Sequence, residues 1–306
     1  MKITAVVPCL NEEKNIAPVY AAICQALQVY EAFEIIFIDD GSTDNTLKEI
    51  ICLTEKDSRV KYISFSGNFG LEAAFRFGFI YASHEWCVQY DADMQFPPHE
   101  TFKLAEKAEE GYDAIFGVRK KRKDRLYRTI GSKGEQFIAI HLLNIRIPKG
   151  ASVFRMIKTS LAKRVIQYPA DTAYFIATVP LVTSNYTTVE VEHRQRKIGK
   201  TNWKLSKMFA HSNELFFGFS KRPLFFAQIV LAVNVLLCAV LCIYALKVAP
   251  DLSWLAYVIG SLSISQTFSI GVLSQYAKHF HTPLRLLERV SLRATNMSNI
   301  PSHLII

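Results

Sequence analysis

The chain has 306 residues, enough for one large domain or two small ones, and 50% of them are hydrophobic. Its formal net charge of +9 indicates an anionic partner, such as lipid headgroups or a nucleotide. The 6 cysteines are scattered and contain no Cys-x-x-Cys pair, so their spacing indicates neither a disulfide framework nor a zinc site.

The first ninety residues alternate between strand and helix patterns. The β-branched run at 2–8 predicts a strand and is too short for a signal peptide, and the spacing over 15–27 predicts a helix. Further strands are predicted at 34–38, 60–65 and 87–90, with a helix after Thr43 or Asp44 and another over 70–82. Strands that alternate with helices predict a parallel sheet with helices on both faces and ligands at the carboxyl ends of the strands.

Two carboxylates, Asp91 and Asp93, follow the fourth strand and precede Gln95 and a double proline. In an extended segment, residues two apart project to the same side, so both carboxylates can converge on one hard cation. Oxygen ligands suit Mg²⁺ or Mn²⁺, which keep open positions for substrate phosphates. The motif alone also fits a polar strand end. The metal interpretation depends on Pro8, Asp40 and Asp91 lying at one rim of the sheet.

A fifth strand is predicted at 113–117, and a basic run follows it at 119–128. Such a run is either a solvated arm or a phosphate-binding loop, and its position beside the carboxylate rim favours the loop. A helix is predicted over 126–143, and short strands at 151–156 and 187–191 complete the sheet.

Two segments of about 20 uncharged, apolar residues, 226–245 and 252–273, match the thickness of a bilayer core of about 30 Å. They predict transmembrane helices over about 224–246 and 252–273, joined as a hairpin by a short loop. Basic residues on both flanks, including Lys221, Arg222 and Arg285, place those flanks in the cytoplasm. The alternative is a buried hairpin in a soluble core.

These patterns divide the chain into four parts. An α/β domain is predicted over 1–202 and an amphipathic helix in the membrane interface over 203–222. The transmembrane hairpin occupies 223–275, and a basic cytoplasmic tail is predicted over 276–306.

The order of several motifs resembles family 2 glycosyltransferases of the GT-A fold. The resemblance is to the branch that contains dolichol-phosphate mannose synthase and the bactoprenol glucosyltransferases, and it covers residues 1 to about 201 and extends to the hairpin. The motifs that carry it are Val6-Val7-Pro8 with Asn11-Glu12, Ile38-Asp39-Asp40-Gly41-Ser42-x-Asp44, Asn68-Phe69-Gly70 with Glu72-Ala73-Ala74, Asp91-Ala-Asp93-Met-Gln95-x-Pro97-Pro98, Gly117-x-Arg119, Tyr127-Arg128 with Ser132-Lys133, Phe154-Arg155-Met156, and Arg196-x-x-Gly199-x-Thr201.

The resemblance implies a GT-A (nucleotide-diphospho-sugar transferase, Rossmann-like) α/β catalytic domain followed by a two-helix transmembrane hairpin. The implied activity is inverting, metal-dependent transfer of a sugar from a nucleotide-diphosphate sugar, UDP-glucose or similar, to a polyprenyl phosphate such as undecaprenyl phosphate. The implied cofactor is Mg²⁺ or Mn²⁺. The expected location is the cytoplasmic face of the inner (plasma) membrane, in cell-envelope glycan synthesis. No nucleic-acid partner is expected, and a homo-oligomer is suggested by analogy alone.

The resemblance also implies roles for individual residues. Donor binding is expected from Pro8, Leu10, Asn11, Glu12, Asp40, Asp91, Ala92 and Asp93. Metal binding is expected from Asp91, Asp93 and Gln95. Binding of the acceptor phosphate is expected from Arg119, Arg122, Arg128, Ser132, Arg155 and Arg196. The residues expected to act in catalysis are Asp91, Asp93, Arg119 and Arg128.

Four positions depart from the family pattern and bear on the identity of the sugar. Gly67 replaces an arginine, Leu71 a basic or polar residue, Val153 an aspartate and Asn202 a lysine. Two alternatives stay open. One is a transferase of the same fold that acts on a sugar hydroxyl, for which an additional base carboxylate and a Gln-x-x-Arg-Trp motif are expected. The other is a membrane scaffold with weak catalytic activity.

Overall fold

The computed structural model describes residues 1–120, 134, 137–168, 174–194, 205–248, 253–281 and 290–300. Strands and helices alternate through the first part of the chain, as the periodicity predicts. The elements are β1 (Lys2–Cys9), α1 (Ile16–Leu27), β2 (Ala32–Asp39), α2 (Thr46–Lys56), β3 (Val60–Phe65), α3 (Leu71–Tyr81), β4 (Trp86–Gln89), a 3₁₀ turn (Pro98–Glu100), α4 (Thr101–Glu109) and β5 (Ala114–Arg119).

The rest of the chain completes the sheet and adds the long helices. A short π-helix, Ile138–Leu142, lies inside the region predicted as a helix over 126–143, of which residues 126–133 and 135–136 are outside the described part. The remaining elements are β6 (Ala151–Lys158), α5 (Thr159–Gln167), α6 (Phe175–Val182), β7 (Tyr186–Val191), α7 (Leu205–Phe219), α8 (Arg222–Val248), α9 (Ser253–His281) and β8 (Leu292–Thr295).

The described strands form one sheet in the order β7-β5-β6-β4-β1-β2-β3-β8. The central strands β4, β1, β2 and β3 are parallel, as predicted. The sheet as a whole is mixed, because β6 runs antiparallel to both β4 and β5 and β8 runs antiparallel to β3. The chain between β5 and β6 leaves and re-enters the sheet at the same rim, so it makes no crossover to the opposite rim.

Helices cover both faces of the sheet, because successive side chains of a strand point to opposite sides. In β1, Val6 faces the layer of α3, α5 and α6, whereas Ala5 and Val7 face the layer of α1, α2 and α4. Both layers are closed by buried aromatic side chains, including Phe75 and Phe96. Burying each large apolar side chain contributes about 1.5–3 kcal/mol, so two such layers hold the rim loops on a rigid base.

The chain returns to the sheet after the long helices. β8 pairs antiparallel with β3, and the Ser66 N–H donates to the Ser291 carbonyl at 2.9 Å. Leu292 is fully buried in the α3 face. Residues 276–306 were predicted as a basic tail, but the described part 290–300 packs against the domain, since Val290, Leu292, Met297 and Ile300 are buried in the core cluster on the α3 face.

Helices α8 and α9 contact each other along an antiparallel interface. They contain the two spans in the described chain that are long and apolar enough to cross a membrane, Arg222–Tyr244 and Tyr257–Ala277. The interface uses small side chains, such as Ala227, Cys238 and Ser269, while most large apolar side chains of the pair are exposed. The Ser269 hydroxyl donates to the Ala227 carbonyl at 3.4 Å. A pair of helices with an apolar exterior is the pattern expected of a membrane hairpin.

The base of this hairpin is joined to the α/β domain. The Ser220 hydroxyl donates to the Leu143 carbonyl at 2.7 Å, and the Arg222 guanidinium donates to the Leu142 carbonyl at 2.8 Å. From α9, the Tyr276 hydroxyl donates to the Ser220 carbonyl at 2.6 Å. Leu215 of α7 is buried in the same small core as Leu143. The predicted position of α7 in the membrane interface stays a prediction.

Candidate functional site

The loops after β1 and β2 are bound to each other at the rim of the sheet. Asn11 accepts the Thr43 N–H on its Oδ1 at 2.8 Å, and its own N–H donates to the Ser42 hydroxyl at 2.9 Å. The Glu12 N–H donates to the Thr46 hydroxyl at 2.8 Å, at the start of α2. Asn11 has a φ of 54°, a left-handed conformation that asparagine tolerates. The predicted donor residues Asn11 and Glu12 therefore lie in a fixed loop.

Two other residues predicted to bind the nucleotide-sugar donor, Pro8 and Leu10, are at least partly buried. Pro8 is buried inside β1, and Leu10 is half-buried just beyond its end. They lie at the end of β1, directly before the loop that contains Asn11 and Glu12.

The carboxylates of Asp39 and Asp40 organise the next loops. Asp39 is fully buried and accepts the Ser42 N–H at 3.0 Å and the Ser64 hydroxyl at 2.7 Å. Asp40 is 5% exposed and accepts the N–H groups of Phe69 at 2.7 Å and Gly70 at 2.9 Å. Burial raises the pKa of Asp40, and the two backbone N–H groups oppose that shift. The position predicted to bind the nucleotide therefore also holds the loop of residues 66–70.

A close backbone approach connects the same two loops. Gly41 has a φ of +73°, and a Cβ built on it would lie 2.4 Å from the carbonyl carbon of Gly67. Only glycine fits a position that combines positive φ with contact against another backbone. A Cβ on Gly67 would meet no atom within 4 Å, so this departure from the family pattern leaves open space at the rim.

Asp91, Asp93 and Gln95 follow β4 in one turn, residues 91–95, which is termed the carboxylate turn. The Met94 N–H donates to the Asp91 carbonyl at 3.0 Å, and the Gln95 N–H donates to Asp93 Oδ1 at 3.1 Å. The sequence argument from an extended strand is wrong here, because β4 ends at Gln89 and Met94 has a φ of 54°. The three side chains are half-exposed, while Ala92, also predicted at the donor site, is buried between them.

This turn fits a divalent cation by the chemistry of its donor atoms. It offers two carboxylates and one amide oxygen, which are hard oxygen ligands of the kind that Mg²⁺ and Mn²⁺ bind. The strand order places β4 next to β1 and β1 next to β2, so the turn lies beside the loops at Asn11 and Asp40.

Arg119 lies against Phe96, the residue that follows the carboxylate turn. It ends β5, and its guanidinium carbon lies 5.8 Å from the centre of the Phe96 ring. Phe96 is buried, stacks on Phe154 with centroids 5.6 Å apart, and immediately follows Gln95. The prediction that Arg119 lies beside the metal motif is thus consistent with the geometry of the described chain.

The segment after β7 also passes the carboxylate turn. The Arg194 N–H donates to the Gln95 carbonyl at 2.8 Å. A cavity of about 600 Å³ opens beside Asp93, with Arg194, His99 and Gln25 in its wall. Four residues predicted to bind the acceptor phosphate, namely Arg122, Arg128, Ser132 and Arg196, lie outside the described residues.

Arg155 does not occupy the position predicted for it. Its side chain is 1% exposed, with the guanidinium carbon 4.1 Å from the centre of the Phe75 ring and 4.5 Å from that of Phe175. It donates to the Gln89 amide oxygen at 2.6 Å. A guanidinium buried against two rings cannot bind a lipid phosphate, so this prediction is corrected.

Sequence reasoning also missed the neighbours of Arg155. Glu72 and Arg76, one helical turn apart on α3, face it from the same side of the sheet, and Glu72 accepts the Phe175 N–H at 3.3 Å. The only signal in the sequence was that Glu72 belongs to a motif of the resembled family.

Comparison with known proteins agrees with this architecture. The chain is 26% identical to an uncharacterized glycosyltransferase of Synechocystis over 285 residues, which cover 90% of each chain. It is also 26% identical to the undecaprenyl-phosphate 4-deoxy-4-formamido-L-arabinose transferase of Serratia proteamaculans, over 94% of this chain and 92% of that relative.

The fold is similar to that of glucosyl-3-phosphoglycerate synthase from Mycobacterium tuberculosis, solved with Mn²⁺, UDP-glucose and phosphoglyceric acid. The TM-score is 0.54 at 18% identity, over 72% of this chain and 79% of that one. This confirms the predicted GT-A fold. The profile described as glycosyl transferase family 2 matches residues 4–166, more than half of the chain. The chain therefore belongs to glycosyl transferase family 2 and is a glycosyltransferase.

Proposed function

We propose that this enzyme transfers a sugar from a nucleotide-diphosphate sugar to a polyprenyl phosphate, undecaprenyl phosphate in particular, at the cytoplasmic face of the inner membrane. The observation that carries the proposal is the position of Arg119 against Phe96, which directly follows Gln95 at the end of the carboxylate turn. One rim then offers carboxylates for a metal on the donor diphosphate and an arginine for an incoming phosphate.

The relatives support the choice of substrates. The name of the Serratia relative states an undecaprenyl-phosphate acceptor, and its similarity extends across the long helices as well as the catalytic domain. The structural neighbour was solved with Mn²⁺ and UDP-glucose, which agrees with the oxygen ligands at Asp91, Asp93 and Gln95. The long helices are joined to the domain at Ser220, so the rim stays near the membrane surface.

The reaction depends on stabilising the negative charges of the leaving diphosphate and the incoming phosphate more than on transferring a proton. A phosphate monoester has a second pKa of about 6 and is largely a dianion at neutral pH. One of its oxygens forms the bond to the anomeric carbon while the bond from that carbon to the diphosphate breaks, and the nucleoside diphosphate leaves with the electron pair. Direct displacement inverts the anomeric centre. No general base is needed, which is consistent with Val153 in place of the family's aspartate.

Individual residues of this chain serve that step in three ways. Asp91, Asp93 and Gln95 would hold Mg²⁺ or Mn²⁺, which when bound neutralises charge on the leaving diphosphate. Asp40, through the loop of residues 66–70, fixes the wall of the donor site. Arg119 orients the incoming phosphate, and preorganised charges of this kind act without reorganisation during the reaction.

The direct test uses the full chain in nanodiscs that contain undecaprenyl phosphate. A panel of radiolabelled nucleotide sugars is added with Mn²⁺ or Mg²⁺, and label in the lipid fraction is measured. We expect one donor to give metal-dependent transfer, and Asp93→Ala to lower turnover by about 10²–10³-fold, because a ligand charge beside the diphosphate is lost. Glu55→Ala, an exposed carboxylate on α2, is the matched control.

Two outcomes contradict the proposal. Transfer to a sugar hydroxyl but not to undecaprenyl phosphate would establish the first alternative. An Asp93→Ala variant that stays active in EDTA would show that the carboxylate turn does not hold a catalytic metal.

A further inference from the structure

Arg155 carries a buried charge whose donor nitrogens are only partly hydrogen-bonded among the described residues. Its Nη2 donates to Gln89, but its Nε and Nη1 have no hydrogen-bond acceptor among the described residues, and neither has the Nε2 of Gln89. Arg76, on the neighbouring helix α3, also has a buried Nε without a hydrogen bond. An unsatisfied buried donor loses its hydrogen bonds to water without replacing them, which destabilises the folded state.

Two carboxylates, Glu72 and more weakly Asp91, attract Arg155, and Arg76 repels it. Glu72 also lies 3.8 Å from the Nε of Arg76, so it is shared between the two guanidinium groups. Replacing buried charges with apolar side chains of similar volume is often neutral or stabilising. Stability alone therefore does not account for Arg155, and residues that break such a rule concentrate at functional sites.

Arg155 is hydrogen-bonded to Gln89, the strand residue that leads into the carboxylate turn. Gln89 is the last residue of β4, and Gln89 and Arg155 form the last registered pair between β4 and β6. The chain leaves the sheet at this point and enters the turn that carries Asp91 and Asp93. A side-chain hydrogen bond at the last pair fixes the direction in which that turn begins.

The charge of Arg155 also acts on the turn. Burial lowers the pKa of Arg155 to about 10, against an opposing attraction from Glu72 and, more weakly, from Asp91. The guanidinium therefore stays protonated at neutral pH, and it attracts the Asp91 carboxylate from inside the domain. Charges in a water-excluded interior act over longer distances than exposed ones.

We propose that Arg155 is a positioning residue for sugar transfer, held between Phe75 and Phe175, which fixes the carboxylate turn through Gln89 and touches no substrate. The kinetic part of this inference rests on the proposed function, whereas its structural part does not. Phe75 belongs to α3 and Phe175 to α6, so the packing of these two helices determines where the guanidinium lies relative to the turn.

The test compares Arg155→Met with wild type, and Gln89→Met as a second variant that removes the acceptor of the same hydrogen bond. Met156→Leu is the control, since Met156 is the neighbouring buried residue of β6 and faces the opposite layer. Each protein is measured for Tm, for hydrogen exchange of the amides of residues 90–95, and for kcat and KM with undecaprenyl phosphate.

We expect Arg155→Met to keep or raise Tm while the 90–95 amides exchange about tenfold faster, since local opening is independent of global stability. In the same variant kcat should fall about 10- to 100-fold, the range for residues that orient metal ligands, with the KM for the lipid phosphate unchanged. Gln89→Met should reproduce the exchange and kcat changes, and Met156→Leu should show neither.

Three results would overturn the inference. A lower Tm in Arg155→Met would mean that the charge stabilises the fold. Unchanged exchange at 90–95 would mean that it does not fix the turn. A higher KM for the lipid phosphate with kcat unchanged would mean that Arg155 contacts the acceptor. If wild type transfers nothing to a polyprenyl phosphate, the proposed function fails, and the exchange and Tm measurements still decide the role of Arg155.

Discussion

The two glycines that meet at the rim should respond in opposite ways to the same substitution. In Gly41→Ala, the new Cβ would lie 2.4 Å from the Gly67 carbonyl carbon and 2.7 Å from its oxygen, so one backbone must move. The positive φ adds about 1–2 kcal/mol and the overpacking about 1–3 kcal/mol, which together give about 2–5 kcal/mol. For a domain of this size, each kcal/mol lowers Tm by about 2–4 °C, so we expect a decrease of about 4–20 °C.

The same displacement should affect the donor site. Moving Gly67 pulls the Phe69 and Gly70 N–H groups from the Asp40 carboxylate, which they contact at 2.7 and 2.9 Å. Calorimetric titration with UDP and Mn²⁺ should therefore show weaker binding in Gly41→Ala.

Gly67→Ala is the matched control for both measurements. Its Cβ meets no atom within 4 Å, so Tm should change by less than the equivalent of about 0.5 kcal/mol and binding should be kept. Equal effects of the two substitutions, or no effect of Gly41→Ala, would show that the two loops do not touch as described.

Two further predictions concern the stability of the domain. Burial disfavours the charge on Glu34, but hydrogen bonds from Lys61, Ser83 and Thr4 outweigh it and lower its pKa from 4.5 to about 2. This carboxylate therefore contributes about 3 kcal/mol above pH 4.5, which is lost as the pH falls from 4.5 towards 2, and Glu34→Gln should flatten the decrease in Tm over that interval. Leu292→Ala should cost about 2–5 kcal/mol in thermal unfolding, because Leu292 is fully buried, whereas exposed Arg293→Ala should stay within about 0.5 kcal/mol. Equal Tm values for the last pair would contradict the docking of β8.

The local periodicity was sufficient to predict the central strands and their helices. The runs at 2–8 and 60–65 are β-branched and apolar, and both strands form where they were predicted. β8 could not be found in this way, because Leu-Arg-Ala-Thr is short and half polar and becomes a strand only by pairing with β3. Pairing between distant segments is a tertiary effect that overrides local propensity.

In the candidate site, too, the residue types could be predicted from the sequence, whereas the features set by tertiary structure could not. The residue types at Asp91 and Asp93 predicted oxygen ligands from chemistry alone, whereas Gln95 was added by the family resemblance. The backbone that carries them was predicted wrongly, since it is a turn with positive φ at Met94 and not an extended strand. The burial of Arg155 was missed because arginine is mostly exposed in proteins, and only the packing of Phe75 and Phe175 around it reverses that expectation.

The return of β8 to the sheet also constrains how the protein is made. Ser66 and Ser291, which bond at the edge of β3, are 225 residues apart in the chain. At a synthesis rate of about 5–20 residues per second, the β3 edge stays uncovered for about 10–45 s after its own translation. Both long helices leave the ribosome in that interval, before the strand that covers the edge. An uncovered edge is a template for pairing with other chains, so delayed insertion of the hairpin would prolong the period in which this protein can aggregate.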